Sequence, residues 1–65
     1  MKYFSIKLVV NDNENHVELG EVQSEQKPES TLIETESADY YTYFFSTEQE
    51  RAERLAGIIS ILMDI

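Results

Sequence analysis

The hydrophobic pattern changes period once along this chain, and that switch restricts the fold more than any composition figure. In residues 3–10, Phe4, Ile6, Leu8 and Val10 alternate with Tyr3, Ser5, Lys7 and Val9. A period of two places the first set on one face of a strand and the second on the other. From residue 47 onward, Ala52, Leu55, Ile58, Ile59 and Leu62 recur at helical spacing against a polar stripe of Glu50, Glu53, Arg54, Gly57, Ser60 and Asp64. Each pattern suits one element type and not the other, so sheet precedes helix.

Between these segments the strand signals repeat. Asn11-Asp12-Asn13-Glu14-Asn15 is a turn, because Asn and Asp bond their own main chain and tolerate left-handed backbone. Residues 16–22 return as a second strand, giving an antiparallel hairpin. There Val17 and Leu19 share a face, Val22 is one residue out of phase, and Gly20 between them suggests a β-bulge. Residues 23–31 lack apolar side chains, hold the only proline, and form an exposed loop. A third strand is expected over residues 32–37, with Glu34 and Glu36 on one face, then a turn at Asp39. The aromatic run Tyr40 to Phe45 makes a fourth strand. Ser46 with Gln49, or Thr47 with Glu50, offers a capping box for the helix. Nineteen helical residues span about 28 Å, close to the roughly 26 Å of an eight-residue strand. The expected fold is α+β, an antiparallel sheet of three to four strands with one C-terminal helix packed on one face (ββββα). Residues 1–65 form one domain.

A domain of 65 residues with no cysteine has a small core and no disulfide to support it; such cores rarely supply more than about 3–5 kcal/mol. Oligomerisation is the usual remaining device. Ala56, Ile61, Met63 and Ile65 widen the helix's apolar arc beyond what one sheet face requires. The bland account is a wide buried stripe with frayed ends. The sharper one is a homodimer through Ile58, Ile61 and Ile65.

Charge narrows the partners. The formal net charge is −8, and residues 12–39 carry all of it, with nine acids against the single cation Lys27. Such a block repels nucleic acid and anionic membrane and favours basic protein surfaces. The opening run, Met1 to Val10, is too short for a signal peptide and is interrupted by Ser5 and Lys7. The C-terminal apolar cluster falls far below the roughly 20 residues of a membrane span. A cytoplasmic protein is expected.

Little points to catalysis. There is one histidine, His16, and no glycine-rich phosphate loop. Ser5 and His16 lie on neighbouring strands, an arrangement that hairpins produce by accident. The oxygen-rich turn 11–15 lacks the glycine and distal glutamate of a calcium loop. No catalytic residue, metal site or cofactor is expected. The aromatic run Tyr40, Tyr41, Tyr43, Phe44 and Phe45 suits base stacking only beside a positive groove, and its neighbours here are acidic. Tyrosines favour protein interfaces, so one face of that strand serves as core and the other is available for protein recognition.

Acids on alternate strand positions lie roughly 6.6 Å apart, an interval comparable with the through-space spacing of phosphates along one strand of nucleic acid. In size and charge alone the chain resembles the small acidic inhibitors of phages and mobile elements: anti-CRISPR proteins, anti-restriction proteins and uracil-DNA glycosylase inhibitors. No motif carries that likeness. It implies a non-enzymatic DNA-mimic inhibitor or adaptor that binds a basic, nucleic-acid-binding protein, in the host cytoplasm if phage-encoded. The expected contact residues are Glu18, Glu21, Glu34, Glu36 and Asp39, with Tyr40 or Tyr41 as an anchor. The alternative is a structural module that assembles through its helix, with the acidic block only a solvated face.

Overall fold

The computed structural model describes residues 1–63. It is a four-stranded antiparallel sheet with one helix: β1 Lys2–Asn11, β2 Asn15–Gln23, β3 Thr31–Glu34, β4 Ala38–Phe45 and α1 Glu48–Met63. The strand order is β2-β1-β4-β3, so the most regularly alternating segment, β1, sits inside the sheet. Ile6 pairs with Leu19 on one side and Tyr43 on the other. Directly paired residues share a face. One face therefore carries Phe4, Ile6 and Leu8 with Leu19, Val17, Tyr43, Tyr41 and Leu32.

The helix lies on that face. The Arg51 guanidinium sits 5.2 Å from the Phe4 ring centroid and that of Arg54 5.9 Å from the Tyr43 centroid. Arg51 Nη1 also donates to the Gly20 carbonyl oxygen at 2.9 Å, tying the first helical turn to edge strand β2. Beneath the helix Ile6 is completely buried. Tyr3 and Val9, also buried, point the other way; Tyr3 is flanked by Val22, and its hydroxyl meets the Met1 sulfur at 3.7 Å. The first strand thus contributes core to both faces.

The β1–β2 register runs unbroken from Lys2↔Gln23 to Val10↔Asn15, so the bulge expected at Gly20 does not form. Val22 is out of phase with Leu19 because it packs beside Tyr3 on the opposite face. Gly20 serves a close approach instead: a Cβ there would stand 3.0 Å from Ser5 Oγ. The hairpin closes without left-handed backbone, since no described residue has a positive φ. Asn11 Oδ1 holds the turn by accepting from the Asn13 and Glu14 amides at 2.8 and 2.7 Å. The ladder extends one step beyond the strands, where Met1 and Ser24 exchange two 2.9 Å hydrogen bonds. Residues 24–30 then cross to the far edge of the sheet, a distance of about 14 Å at three strand spacings.

The third strand is shorter than expected and ends at Glu34. Thr35 ends it by capturing its own turn: its hydroxyl donates to the Ala38 carbonyl at 2.7 Å and accepts from the Ala38 amide at 3.0 Å. Such local bonds compete with a ladder and favour a turn. Glu36 consequently lies in the turn, and Asp39, expected in the turn, lies in β4.

Of the two candidate capping pairs, Thr47 with Glu50 caps the helix, both bonds running through the Thr47 hydroxyl. Thr47 Oγ1 accepts from the Glu50 amide at 3.1 Å and donates to the Glu50 carboxylate at 3.2 Å. Replacing Thr47 by alanine removes this bond from an exposed site and is expected to cost about 1 kcal/mol. Thermal unfolding followed by circular dichroism should show a midpoint lower by about 4–8 °C. An unchanged midpoint would mean that the cap is idle.

The helix buries less than its sequence offers. Arg51, Leu55 and Ile58 are half-buried toward the sheet, while Ala52, Ala56, Ile59 and Ile61 are exposed. The radius of gyration is 12.4 Å and the extents are 36 × 25 × 13 Å. A compact chain of this length is expected near about 10.7 Å, so the molecule is flatter and more open than average.

Candidate protein-docking site

The sheet topology gathers acids that are distant in sequence. Because β1 pairs antiparallel with β4, Asn11 faces Ala38, which brings the β1–β2 turn beside the β3–β4 turn. Asp12, Glu36 and Asp39 line one shallow depression there, with Asn11, Thr35 and Ser37 between them. Glu34 pairs directly with Asp39, adding a fourth carboxylate on the helix-bearing face. Among the described residues, none of these four acids has a Lys, Arg or His partner within salt-bridge distance.

The Thr35 bonds fix this end of the sheet and with it the backbone that presents Glu36. No three described His, Asp or Glu side chains converge closely enough to hold a metal ion. The carboxylates are instead spread over two turns and a strand pair. Spread acids on a fixed backbone suit an extended basic surface better than a point cation.

Not all of the sequence-derived contact residues join this end. Glu21 pairs with Phe4 at the opposite end of the sheet, where the Lys2 ammonium lies 3.1 Å from its carboxylate. Glu18 is on the face away from the helix, beside His16 at 3.4 Å. The strand-spaced pair Glu34 and Glu36 is not formed, because Glu36 is in the turn; the cross-strand pair Glu34 and Asp39 takes its place. Of the two candidate anchors, Tyr41 shares a face with Glu34 and Asp39 and pairs with Leu32. Tyr40 faces the other way, with the Lys7 ammonium 5.4 Å from its ring centroid.

Asp12 is the member that sequence reading missed. Its place depends on the β1–β4 pairing, which no local pattern reveals. Of the expected oligomer residues, Ile58 is half-buried against the sheet, Ile61 is exposed and Ile65 lies outside the described residues. Ser5 pairs with Gly20 and His16 with Val9, four residues further along β1, or about 13 Å at strand rise. The two side chains are therefore not brought within hydrogen-bond reach.

No described helix is long and apolar enough to cross a membrane. The architecture defines a two-layer α+β domain, a four-stranded antiparallel sheet carrying a C-terminal helix. Beyond that class the comparisons are silent: no family model matches the chain, and no curated protein or solved structure does either.

Proposed function

We propose that the protein is a non-enzymatic inhibitor or adaptor that docks its acidic sheet end onto a basic, nucleic-acid-binding surface of a larger protein. One observation carries this reading: Asp12, Glu34, Glu36 and Asp39 come together from two turns and a strand pair, without a cation in salt-bridge reach among the described residues. Acids scattered only for solubility are interspersed with cations. Here four of the five cations sit elsewhere, with Lys2 beside Glu21 and with Lys7, Arg51 and Arg54 over aromatic rings. The charge left at this end is available to a partner that normally holds phosphates.

The test is affinity capture from lysate at low and high salt, with duplex DNA as competitor. A captured nucleic-acid-binding protein, released both by salt and by excess duplex, is the expected result. Capture that is indifferent to salt and to the competitor would remove the basis for DNA mimicry.

A further inference from the structure

The two edges of the sheet are not alike. β3 closes one side with four residues, whereas β2 closes the other with nine. Met1 and Ser24 exchange both of their main-chain bonds, so Ser24 directs its N–H and C=O toward β1. In an antiparallel pair this direction alternates residue by residue. Through the unbroken register, His16, Glu18, Gly20 and Val22 therefore bond inward, while Val17, Leu19 and Glu21 direct their N–H and C=O outward. Among the described residues no loop, cap or side chain bonds those outward groups. Leu19, in the middle of the edge, is 52 % exposed.

Sheet edges are commonly blunted by shortness, proline, lysine or a bulge. β3 is short. β2 has none of these devices: residues 8–26 hold no lysine, arginine or proline, and the ladder is regular. It carries acids, Glu18 and Glu21, with Glu14 and Glu25 just beyond its ends. These acids select what can pair there. A second β2 in antiparallel register must set outward residues against outward residues. Centring that pair on Glu18 or Glu21 opposes the glutamate to itself. Centring it on Leu19 or Gly20 leaves Glu18 or Glu21, respectively, diagonal to its counterpart at about 7–8 Å. Each of these registers sets like charges together in a chain of net charge −8, whereas a strand bearing Lys or Arg is attracted at the same positions. His16 and Lys2 accompany the two carboxylates, yet each carboxylate is at least half exposed and has lone pairs left for a second cation. We infer that the free edge of β2 accepts an extended basic segment of a partner protein as an added strand. The outward groups of Val17, Leu19 and Glu21 supply the main-chain bonds. Apolar residues of the segment cover Leu19 on the helix-bearing face, and its alternating Lys or Arg residues meet Glu18 on the other. This goes beyond docking at the acidic end, uses different residues and stands if that reading fails.

The probe is a short synthetic peptide in which lysine alternates with valine, capped at both ends. Its control is the same peptide N-methylated at every residue, which keeps the charges and removes the main-chain donors. Amide hydrogen exchange of the full chain, resolved by NMR at about 0.15 M salt where screening sets in beyond about 8 Å, reads the edge directly. In the free chain the Glu18 and Gly20 amides are expected to exchange slowly and those of Val17, Leu19 and Glu21 quickly. Saturating probe should slow these three at least ~10-fold and leave the β3 amides unchanged, and the control should slow none. Glu18→Lys should weaken the probe about fivefold. Glu53→Lys, the same charge change on the exposed helix surface, should leave its affinity within about twofold. Equal binding of the methylated control would mean charge contact without strand pairing and overturns the inference. So does slowing at β3 or at no edge, or a Glu18→Lys variant that binds the probe as wild type does. Protection of Val17, Leu19 and Glu21 in the free chain that grows with its concentration would put a second copy on this edge, and that also overturns it.

Discussion

Ile6→Ala is expected to leave the chain largely unfolded at room temperature. Among the described residues Ile6 is the only large side chain at 0 % exposure, and it lies under the helix with Leu19 and Tyr43 as its cross-strand neighbours. Truncating a fully buried isoleucine costs about 2–5 kcal/mol, the lost transfer energy plus the cavity left behind. A core of this size supplies only about 3–5 kcal/mol in total. The two quantities overlap, so one substitution removes most or all of the stability. Urea unfolding of Ile6→Ala and Ile6→Val should separate them: the valine variant is expected to lose about 0.5–1.5 kcal/mol and remain folded. If the alanine variant unfolded within about 1 kcal/mol of wild type, the core would have to lie elsewhere, and the helix would not be docked over β1 as described.

That dependence on a single position follows from how the apolar residues are distributed. Phe4, Ile6 and Leu8 announce a buried strand face through their period of two, and Leu55 and Ile58 announce a helix face. Both readings match the structure, and so does the order ββββα. Local chemistry narrowed the helix cap to two pairs of equal spacing, Ser46 with Gln49 and Thr47 with Glu50, and the structure uses the second. Elsewhere the sequence supported several geometries. Val22 out of phase with Leu19 is compatible with a bulge or with a strand whose two faces are both apolar, and only the buried Tyr3 on the reverse face decides. Glu34 and Glu36 look like strand neighbours until the Thr35 hydroxyl is known to bond the Ala38 backbone. Asp12 joins Glu36 and Asp39 only through the pairing of Asn11 with Ala38, across 26 intervening positions. Composition cannot indicate which strands become neighbours when the connections between them are long.

Charge reversal by Glu34→Lys with Glu36→Lys is expected to weaken capture of a basic partner about 10–100-fold at low salt, and by much less at high salt. Both side chains are exposed, so the variant should fold as wild type does. Opposite charges paired at an exposed protein surface are worth about 0.3–0.7 kcal/mol each. Reversing two charges replaces two attractions by two repulsions, which gives the stated range. A matched substitution makes the result diagnostic. Glu18→Lys with Glu21→Lys changes the formal charge by the same amount, but at positions away from the acidic end, where His16 and Lys2 already accompany the carboxylates. If net charge alone drives association, both double variants weaken binding equally. If the gathered end of the sheet is the docking site, the loss at Glu34 and Glu36 is several-fold greater, and Asp39→Asn deepens it. Measuring the dissociation constants of wild type and both variants against the captured partner, at two salt concentrations, distinguishes the cases. Equal losses would remove the site and leave only a diffuse acidic field, because a field falls off smoothly with distance whereas a docking surface depends on which carboxylates touch the partner.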